Sequence, residues 1–325
     1  MKNNRLDKPD ILITGGMGYV GSFTSKEYFK KYKKKILSID KLYRSNPSSK
    51  KFCKNLNFDI SNEKQVSKLI RINKISKIIH LASYTCVRES IKKPKLYKNN
   101  NLIKQKKFID TAKKCGVKRF LFSSSLSIYE GNKIKKNLSP YSKYKLQIEN
   151  YLKKISDKQF KTIIVRYPNI SGADNMGLLG DRNHKINRIF KTIFKKIINK
   201  KVFNLYCQLN KDIYPSRIYA HVEDIAKINI QLINTKNTKK DRNFKIFNIV
   251  SKLNVSNYQI FLKMQKLMKK KGKIKFKQAD QKENFFPPTA KDNETKKLKI
   301  KSKKTTFQNI INTNIAWFKN IKKEL

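Results

Sequence analysis

The sequence predicts an α/β fold: a parallel, doubly wound sheet with helices on both faces and a smaller C-terminal lobe. Three observations predict it. Short apolar runs alternate with helical stretches of roughly 10–15 residues, which is the pattern of βαβ units. A glycine cluster follows the first apolar run, and an aspartate ends the second. Because crossovers between parallel strands are right-handed, such units wind into one covered sheet, and 325 residues suffice for that domain and a lobe.

Apolar runs and helical periodicity assign the elements in chain order. Strands are predicted over 11–13, 35–39, 56–60, 77–82, 119–123 and 162–167, and helices over 22–32, 63–73, 101–115 and 141–155. After residue 169 the alternation weakens. A helix over 187–200, a strand over 202–207, a helix over 224–233 and a strand over 245–250 are still indicated. From residue 252 we expect helix and loop, with the lysine-rich run 269–277 as a solvated face.

The net charge is extreme, because the chain has 77 Lys and Arg but only 22 Asp and Glu, which gives a formal charge of +55. Such an excess is typical of polyanion binding. The lysines are spread over the whole chain, however, and Lys, Asn and Ile, whose codons are rich in A and T, are all abundant. We therefore expect compositional drift and no specific binding of nucleic acid. A polyanion-binding protein on the same fold remains the non-enzymatic alternative.

Cysteine spacing and the N-terminus indicate the compartment. The four cysteines show no CxxC spacing, so neither a zinc site nor a disulfide framework is expected. Residues 1–10 are polar and lack the apolar core of a signal peptide, and no run of 18 apolar residues occurs. We expect a cytoplasmic protein with reduced thiols, no bound metal and no membrane insertion.

The glycine cluster, residues 15–21, lies between the first predicted strand and the first helix. Gly15 and Gly18 allow a tight turn and a close approach to a pyrophosphate, while Gly21 allows the helix to pack against the strand. The helix N-terminus then offers N–H groups to the phosphates. Asp40 ends the second strand, where its carboxylate accepts from a ribose 2′-OH and repels a 2′-phosphate. The pattern predicts NAD rather than NADP.

A tyrosine and a lysine follow a serine-rich strand end. Tyr141 and Lys145 are four residues apart, so both face the same side of the predicted helix. A tyrosine of ordinary pKa is a poor base at neutral pH, and a neighbouring ammonium favours its phenolate. Ser125 ends a central strand, where parallel sheets bind ligands, and its hydroxyl can bond a substrate oxygen. This grouping predicts that Tyr141 acts as an acid or base beside a hydroxyl that bonds a substrate oxygen.

Six motifs in one order extend these observations. They are ITGGMGYVGS, IIHLASYTCVRES followed by KNNN, FLFSSSLSIY, SPYSKYK, RYPNISGA and YAHVEDIA, and they span residues 10 to 250. Together they resemble the extended short-chain dehydrogenases/reductases, in the NAD-dependent epimerase/dehydratase family and nearest its UDP-glucose 4-epimerase branch. The resemblance implies a Rossmann domain over 1–168, a substrate lobe over 169–325 from which 215–250 returns to the first domain, and a homodimer.

The resemblance also implies a role for individual residues. It assigns the contacts with the NAD pyrophosphate to Gly15, Gly18, Tyr19 and Val20. Asp40 would bind the adenine ribose, and Asp59 and Ile60 would lie against the adenine. The rest of the NAD cleft would be lined by Leu81, Ala82, Ser83 and Asn100. Catalysis falls to Ser125, Tyr141 and Lys145, the last two also contacting NAD. Contacts with the nucleotide sugar fall to Asn169, Asn187 and Arg217.

The chain departs from the branch at several positions. Thr85 stands where the branch often has lysine, Pro168 where it has an aromatic residue, and 248–252 replaces a glycine-containing segment. A second phosphate-binding arginine is absent from the corresponding position near 287–292. These departures leave the identity of the sugar nucleotide open.

The expected reaction is the NAD-dependent 4-epimerisation of a UDP-hexose through a transient 4-keto sugar. Another nucleotide-sugar epimerase, a dehydratase or a reductase of the same family is the enzymatic alternative. The dehydratase branch usually carries Thr-Asp-Glu after the serines, whereas this chain has Ser125-Leu126-Ser127, which disfavours elimination of water.

Overall fold

The computed structural model describes residues 10–43, 45–131, 133–182, 188–235, 242–279, 285–287 and 304–322. The strands are β1 (Ile11–Thr14), β2 (Ile36–Ile39), β3 (Cys53–Leu56), β4 (Lys77–His80), β5 (Arg119–Ser125), β6 (Tyr129–Glu130), β7 (Lys133–Ile134), β8 (Lys161–Tyr167), β9 (Asn169–Ser171), β10 (Val202–Cys207), β11 (Ser216–His221), β12 (Phe244–Asn248), β13 (Asn254–Ser256) and β14 (Lys273–Gln278).

The helices alternate with these strands. They are α1 (Tyr19–Tyr32), α2 (Glu63–Ile72), α3 (Val87–Lys92), α4 (Pro94–Lys98), α5 (Lys104–Lys114), α6 (Pro140–Ile155), α7 (Ile189–Ile198), α8 (Val222–Asn234), α9 (Asn257–Met268) and α10 (Phe307–Asn320). Among the described residues, no helix is both long and apolar enough to cross a bilayer.

The central sheet is parallel throughout. Within the described residues it has seven strands in the order β3–β2–β1–β4–β5–β8–β12. Side chains alternate along β1, so Ile11 and Ile13 pack towards α1 and α8, and Leu12 packs towards α2, α5 and α6. Both faces of the sheet are therefore buried, as a parallel sheet requires, and the predicted doubly wound fold is confirmed.

The smaller lobe has its own apolar core, formed by α7, α9, α10 and the strands that they cover. Trp317 on α10 is almost fully buried and packs so tightly on Gly180 that a Cβ there would lie 2.3 Å from the indole. The Trp317 indole N–H also donates to the carbonyl of Asp181 at 3.4 Å. The C-terminal helix thus holds the backbone at Gly180 and Asp181.

Three sequence-based assignments differ in detail from the structure. The run 269–277 is largely exposed, which confirms the predicted solvated face, but the expectation of helix or loop there was wrong, because the run contains β14, which pairs in parallel with β10. Its lysines alternate with Ile274 and Phe276, a period-two signal that the high charge concealed. The third strand ends at Leu56 rather than covering 56–60, because the apolar residues after it pack beside the cofactor pocket. The helix predicted over 101–115 begins as a π-helical turn, Asn99–Ile103.

A buried ion pair fastens α6 to the central sheet. Glu149 on α6 is 2% exposed and Arg166 on β8 is 7% exposed. The Arg166 Nε lies 3.1 Å from one carboxylate oxygen, and its Nη2 lies 2.5 Å from the other. Ser124 on β5 donates to the same carboxylate, and Arg166 also bonds the hydroxyl of Tyr129. One carboxylate therefore joins α6, β5 and β8.

Removal of this carboxylate should destabilise the protein strongly. Glu149→Ala leaves Arg166 buried without its partner, and we expect the free energy of unfolding to fall by about 3–5 kcal/mol, measured by urea unfolding. Glu149→Leu combined with Arg166→Met removes both charges and should recover most of that loss. A loss below about 1 kcal/mol in Glu149→Ala, the range of exposed pairs, would contradict the clamping role.

Candidate active site

The cofactor candidates lie at the carboxyl ends of β1, β2 and β4, where the strand order reverses. The chain passes from β1 to β2 on one side and later to β4 on the other, which opens a crevice at this edge of the sheet. The eleven candidates between Gly15 and Asn100 line one pocket there. They are Gly15, Gly18, Tyr19, Val20, Asp40, Asp59, Ile60, Leu81, Ala82, Ser83 and Asn100.

The glycine turn leaves no space for a side chain at Gly15 or Gly21. Gly15 has φ of +71°, and a Cβ on it would lie 2.9 Å from the backbone nitrogen of Ala82. A Cβ on Gly21 would lie 1.9 Å from the Gly15 carbonyl oxygen. α1 begins after Gly18 without a side-chain cap, so its first turn presents N–H groups and the positive end of the helix dipole. This cradle fits the pyrophosphate of a dinucleotide.

Asp40 lies at the end of β2 and lines the same pocket. Burial raises its pKa, and hydrogen bonds from the backbone N–H groups of Leu42, Met17 and Gly18 oppose that effect. The Leu42 and Met17 bonds measure 2.8 and 3.1 Å. A carboxylate accepts about four hydrogen bonds, so Asp40 retains capacity for a ribose hydroxyl.

Lys145 is held in a fixed position beneath the serine-rich end of β5. It is 2% exposed, and its ammonium donates to the Ser123 carbonyl at 2.7 Å. The ammonium lies 4.7 Å from the centre of the Phe122 ring and 5.9 Å from that of Tyr141. Burial lowers the Lys145 pKa to about 7, against the opposing charge of Glu149.

Tyr141 lines neither the cofactor pocket nor the neighbouring cavity, but it interacts with one residue of each. Burial raises its pKa, while a hydrogen bond with Ser125 and the charge of Arg188 lower it. Ser125 lines the neighbouring cavity, and Arg188 lines the cofactor pocket. The buried phenol is therefore close to one residue of each space, and burial outweighs both opposing effects, so the Tyr141 pKa is raised overall.

The neighbouring cavity measures about 1170 Å³ and contains the substrate candidates that the structure describes. Ser125, Asn169 and Arg217 all line it. The Arg217 guanidinium also donates to the carbonyl of Ser216 at 2.7 Å. The predicted contact Asn187 lies outside the described residues, as do 288–292, where the second arginine was sought. Of the departures from the branch, Thr85 lines the cofactor pocket and Pro168 lines the cavity.

Two cations at these sites were missed by the sequence analysis. Lys135 lines the cavity with Arg217, and its pKa is lowered by burial and by the charge of Arg217, against the opposing effect of Glu130. Arg188 pairs with Asp181 at the cofactor pocket, which raises the Arg188 pKa. Neither residue belongs to a recognisable sequence motif. Each cation comes to lie beside its site only when the chain folds, so the sequence carried no local signal for it.

Comparison with known proteins decides the family. The profile of the NAD dependent epimerase/dehydratase family matches residues 11–249. The chain belongs to this family. This membership confirms the family that the six sequence motifs indicated. NAD is confirmed as the cofactor.

Relatives within the family share a common name. The UDP-glucose 4-epimerase of Pasteurella multocida (strain Pm70) is 33% identical over 240 residues, which cover 66% of this chain and 70% of that protein. The UDP-glucose 4-epimerase of Haemophilus influenzae is 31% identical over 239 residues, with the same coverage.

Solved structures share the fold. A UDP-glucose 4-epimerase from Bifidobacterium longum, in complex with NAD⁺ and UDP, superposes with a TM-score of 0.86 at 23% identity, over 97% of this chain and 99% of that one. A UDP-N-acetylglucosamine 4-epimerase from Methanobrevibacter ruminantium gives a TM-score of 0.80 at 21% identity, over 97% and 99% of the two chains.

The buried lysine should make stability depend on pH. The Lys145 pKa is about 7 in the folded protein, against an ordinary value of 10.5. Between these values the unfolded chain binds more protons, so this residue makes the free energy of unfolding rise with pH. We expect Lys145→Met, which removes the charge, to be more stable relative to wild type at pH 6 than at pH 10, by urea unfolding without cofactor. Parallel pH profiles for the two proteins would contradict the burial of a charged lysine.

Proposed function

We propose that this protein catalyses the NAD-dependent 4-epimerisation of a UDP-hexose. The position of Tyr141 carries the proposal, since it interacts with Ser125 on the cavity side and with Arg188 on the cofactor side. A group that moves a proton between a sugar hydroxyl and the protein, next to a nicotinamide, needs that location. The names of the family relatives agree with this reaction.

The chain's own residues account for the proton transfer. Tyr141 would take the proton of the C4 hydroxyl, directly or through Ser125, and return it when the sugar is reduced again. Lys145, bonded to the Ser123 carbonyl, would add positive charge beside the phenol and reach the nicotinamide ribose. NAD, when bound, supplies the redox chemistry by accepting a hydride and returning it.

The cavity supports epimerisation in two further ways. A 4-keto sugar must turn over before it is reduced on the opposite face, and a cavity of about 1170 Å³ gives it room. Arg217 and Lys135 line this cavity together, and the charge of Arg217 lowers the Lys135 pKa. A diphosphate between the two cations would relieve their mutual repulsion, and a guanidinium can bind its oxygens bidentately. Lys135 would thereby serve in place of the absent second arginine.

The dehydratase alternative has less support at the serine-rich strand end. Leu126 is buried, and the Ser127 hydroxyl bonds the hydroxyl of Ser142 at 2.8 Å. The two residues after Ser125 therefore provide no carboxylate to eliminate water. Product analysis separates the reactions, because a dehydratase releases a 4-keto-6-deoxy sugar and an epimerase releases only a stereoisomer.

Assembly and compartment remain predictions. We propose a homodimer in the cytoplasm, which the resemblance implies, and no specific binding of nucleic acid. Light scattering of the purified protein measures whether it is a dimer. Submicromolar binding of one nucleic-acid sequence at physiological salt would favour the polyanion-binding alternative instead.

Tyr141→Phe should abolish most turnover without releasing the cofactor. The substitution keeps the ring and its packing but removes the hydroxyl that carries the proton. We expect kcat to fall by about 100-fold or more, the usual contribution of a positioned acid–base group, with UDP-galactose as the substrate. Bound NAD, quantified after denaturation, should match wild type.

Two controls make this result specific. Ser125→Ala should slow turnover less than Tyr141→Phe, because water can replace one hydroxyl. Tyr144→Phe removes a hydroxyl from the same helix outside the Tyr141–Lys145 pair and should leave kcat unchanged. Near wild-type turnover in Tyr141→Phe would refute the catalytic assignment.

Arg217→Lys should weaken substrate binding. Lysine keeps the charge but cannot bind two phosphate oxygens in the same plane. We expect KM for UDP-hexose to rise about tenfold, or ~1.4 kcal/mol, and Lys135→Met to raise it in the same direction. An unchanged KM in both variants would place the diphosphate elsewhere.

A further inference from the structure

The adenosine end of the cofactor pocket carries two carboxylates and two lysines. Asp40 and Lys41 follow β2, and Asp59 lies in the turn after β3. Lys104 begins α5, directly after the π-helical turn that carries Asn100. Asp40, Lys41 and Asp59 all line the pocket. The charge of Lys41 lowers the Asp40 pKa, which shows that the two groups are close.

Asp59 is bonded on both of its carboxylate oxygens. Oδ2 accepts from the Lys41 ammonium at 2.8 Å and from the Lys104 ammonium at 2.6 Å. Oδ1 accepts from the backbone N–H and the hydroxyl of Ser61 at 2.9 and 2.8 Å. Burial raises the Asp59 pKa, but the bonds from Lys104, Lys41 and Ser61 outweigh it and hold the pKa well below its usual range.

These four bonds use the whole acceptor capacity of the carboxylate, which is about four. Asp59 differs in this from Asp40, which keeps room for a ribose hydroxyl. The arrangement assigns Asp59 chiefly to the two lysines. Its negative charge also neutralises much of the positive charge that they would otherwise present to the pocket.

The location of Lys41 gives this contact a consequence for cofactor choice. A basic side chain near the acid at the end of the second strand is what accommodates the 2′-phosphate of NADP in this type of fold. Lys41 immediately follows that acid, so a released Lys41 ammonium could reach a 2′-phosphate and offset the repulsion by Asp40. While it is bonded to Asp59 at 2.8 Å, the ammonium is engaged by that carboxylate and must leave it to bind a 2′-phosphate.

We propose that Asp59 is a specificity-determining residue, which favours NAD over NADP by holding Lys41 and Lys104 on one carboxylate oxygen. Selection then has two parts. Asp40 repels the 2′-phosphate, and Asp59 withholds the cation that would compensate. The inference rests on the NAD cofactor of the family and is independent of the sugar.

The test compares the dissociation constants of NADP⁺ and NAD⁺ for the purified full-length protein freed of nucleotide. Asp59→Asn keeps the size of the side chain but removes its charge, so both lysines lose their partner. We expect the ratio of the NADP⁺ constant to the NAD⁺ constant to fall at least tenfold. A ratio cancels any loss of adenine contacts common to both dinucleotides. An unchanged ratio would overturn the proposal.

Two controls isolate Lys41. Glu63→Gln removes a charge paired with Lys107 at 3.5 Å, where both side chains are more than half exposed, and should leave the ratio within about twofold of wild type. Asp59→Asn combined with Lys41→Met should restore the ratio to within about threefold of wild type. A tenfold shift of the ratio in Glu63→Gln would overturn the assignment. So would a double variant, Asp59→Asn with Lys41→Met, that keeps the improved NADP⁺ binding of Asp59→Asn.

A single variant covers the case in which Asp59→Asn does not fold. Lys41→Met in the wild-type background should leave the ratio within about threefold, because the lysine is already engaged by Asp59. A tenfold loss of NADP⁺ affinity would show that Lys41 already contacts the 2′ position, and would overturn the proposal. Normal dinucleotide ratios without any epimerase activity would contradict the proposed function and leave this inference standing.

Discussion

A buried carboxylate on α6 determines where Tyr141, the proposed proton-transfer group, lies. Glu149 accepts hydrogen bonds from Arg166 on β8 and from Ser124 on β5, so the helix is fixed against the two strands. Lys145, one turn earlier on the same helix, is bonded to the Ser123 carbonyl. Because α6 cannot slide along β5 without breaking these contacts, Tyr141 stays opposite Ser125. The geometry of the catalytic candidates is therefore a consequence of buried polar bonds remote from the substrate.

The arrangement of charged side chains differs between the cofactor pocket and the neighbouring cavity. At the cofactor pocket, Asp40 and Asp59 balance lysines that the very basic composition places there. In the neighbouring cavity Arg217 and Lys135 face one space together, which suits a dianion. A net charge of +55 thus does not make every site an anion site, since local carboxylates decide which cations are available.

The C-terminal helix supports two residues of the cofactor pocket, Gly180 and Asp181, although it is distant in sequence and does not line the pocket itself. Trp317 packs on Gly180 and donates to the Asp181 carbonyl, and Asp181 in turn pairs with Arg188 beside the pocket. Gly180 and Asp181 are therefore tied to the small lobe by Trp317 and to the cofactor pocket by Arg188. This arrangement couples the two parts of the molecule through one short stretch of backbone.

The sequence by itself determined the sheet, the glycine turn and the family. Apolar runs at strand spacing and residues 15–21 are local signals, since each depends on neighbours within a few positions. It also indicated Tyr141 and Lys145, because a spacing of four places both on one helix face. The strand β14 shows the limit of composition, since its period-two pattern was present but masked by lysine.

Only the tertiary structure decided which charges meet. Lys41, Asp59 and Lys104 come from three separate elements, and Lys135 and Arg217 from two. In a chain with 77 Lys and Arg, a lysine at any one position carries little information about its partner. The pairs are selected by long-range packing of the sheet edge and of the antiparallel β6–β7 hairpin, which precedes Lys135. The proposed contribution of Asp59 to cofactor preference and the proposed binding of a diphosphate by Arg217 and Lys135 therefore depend on contacts that no local pattern in the sequence encodes.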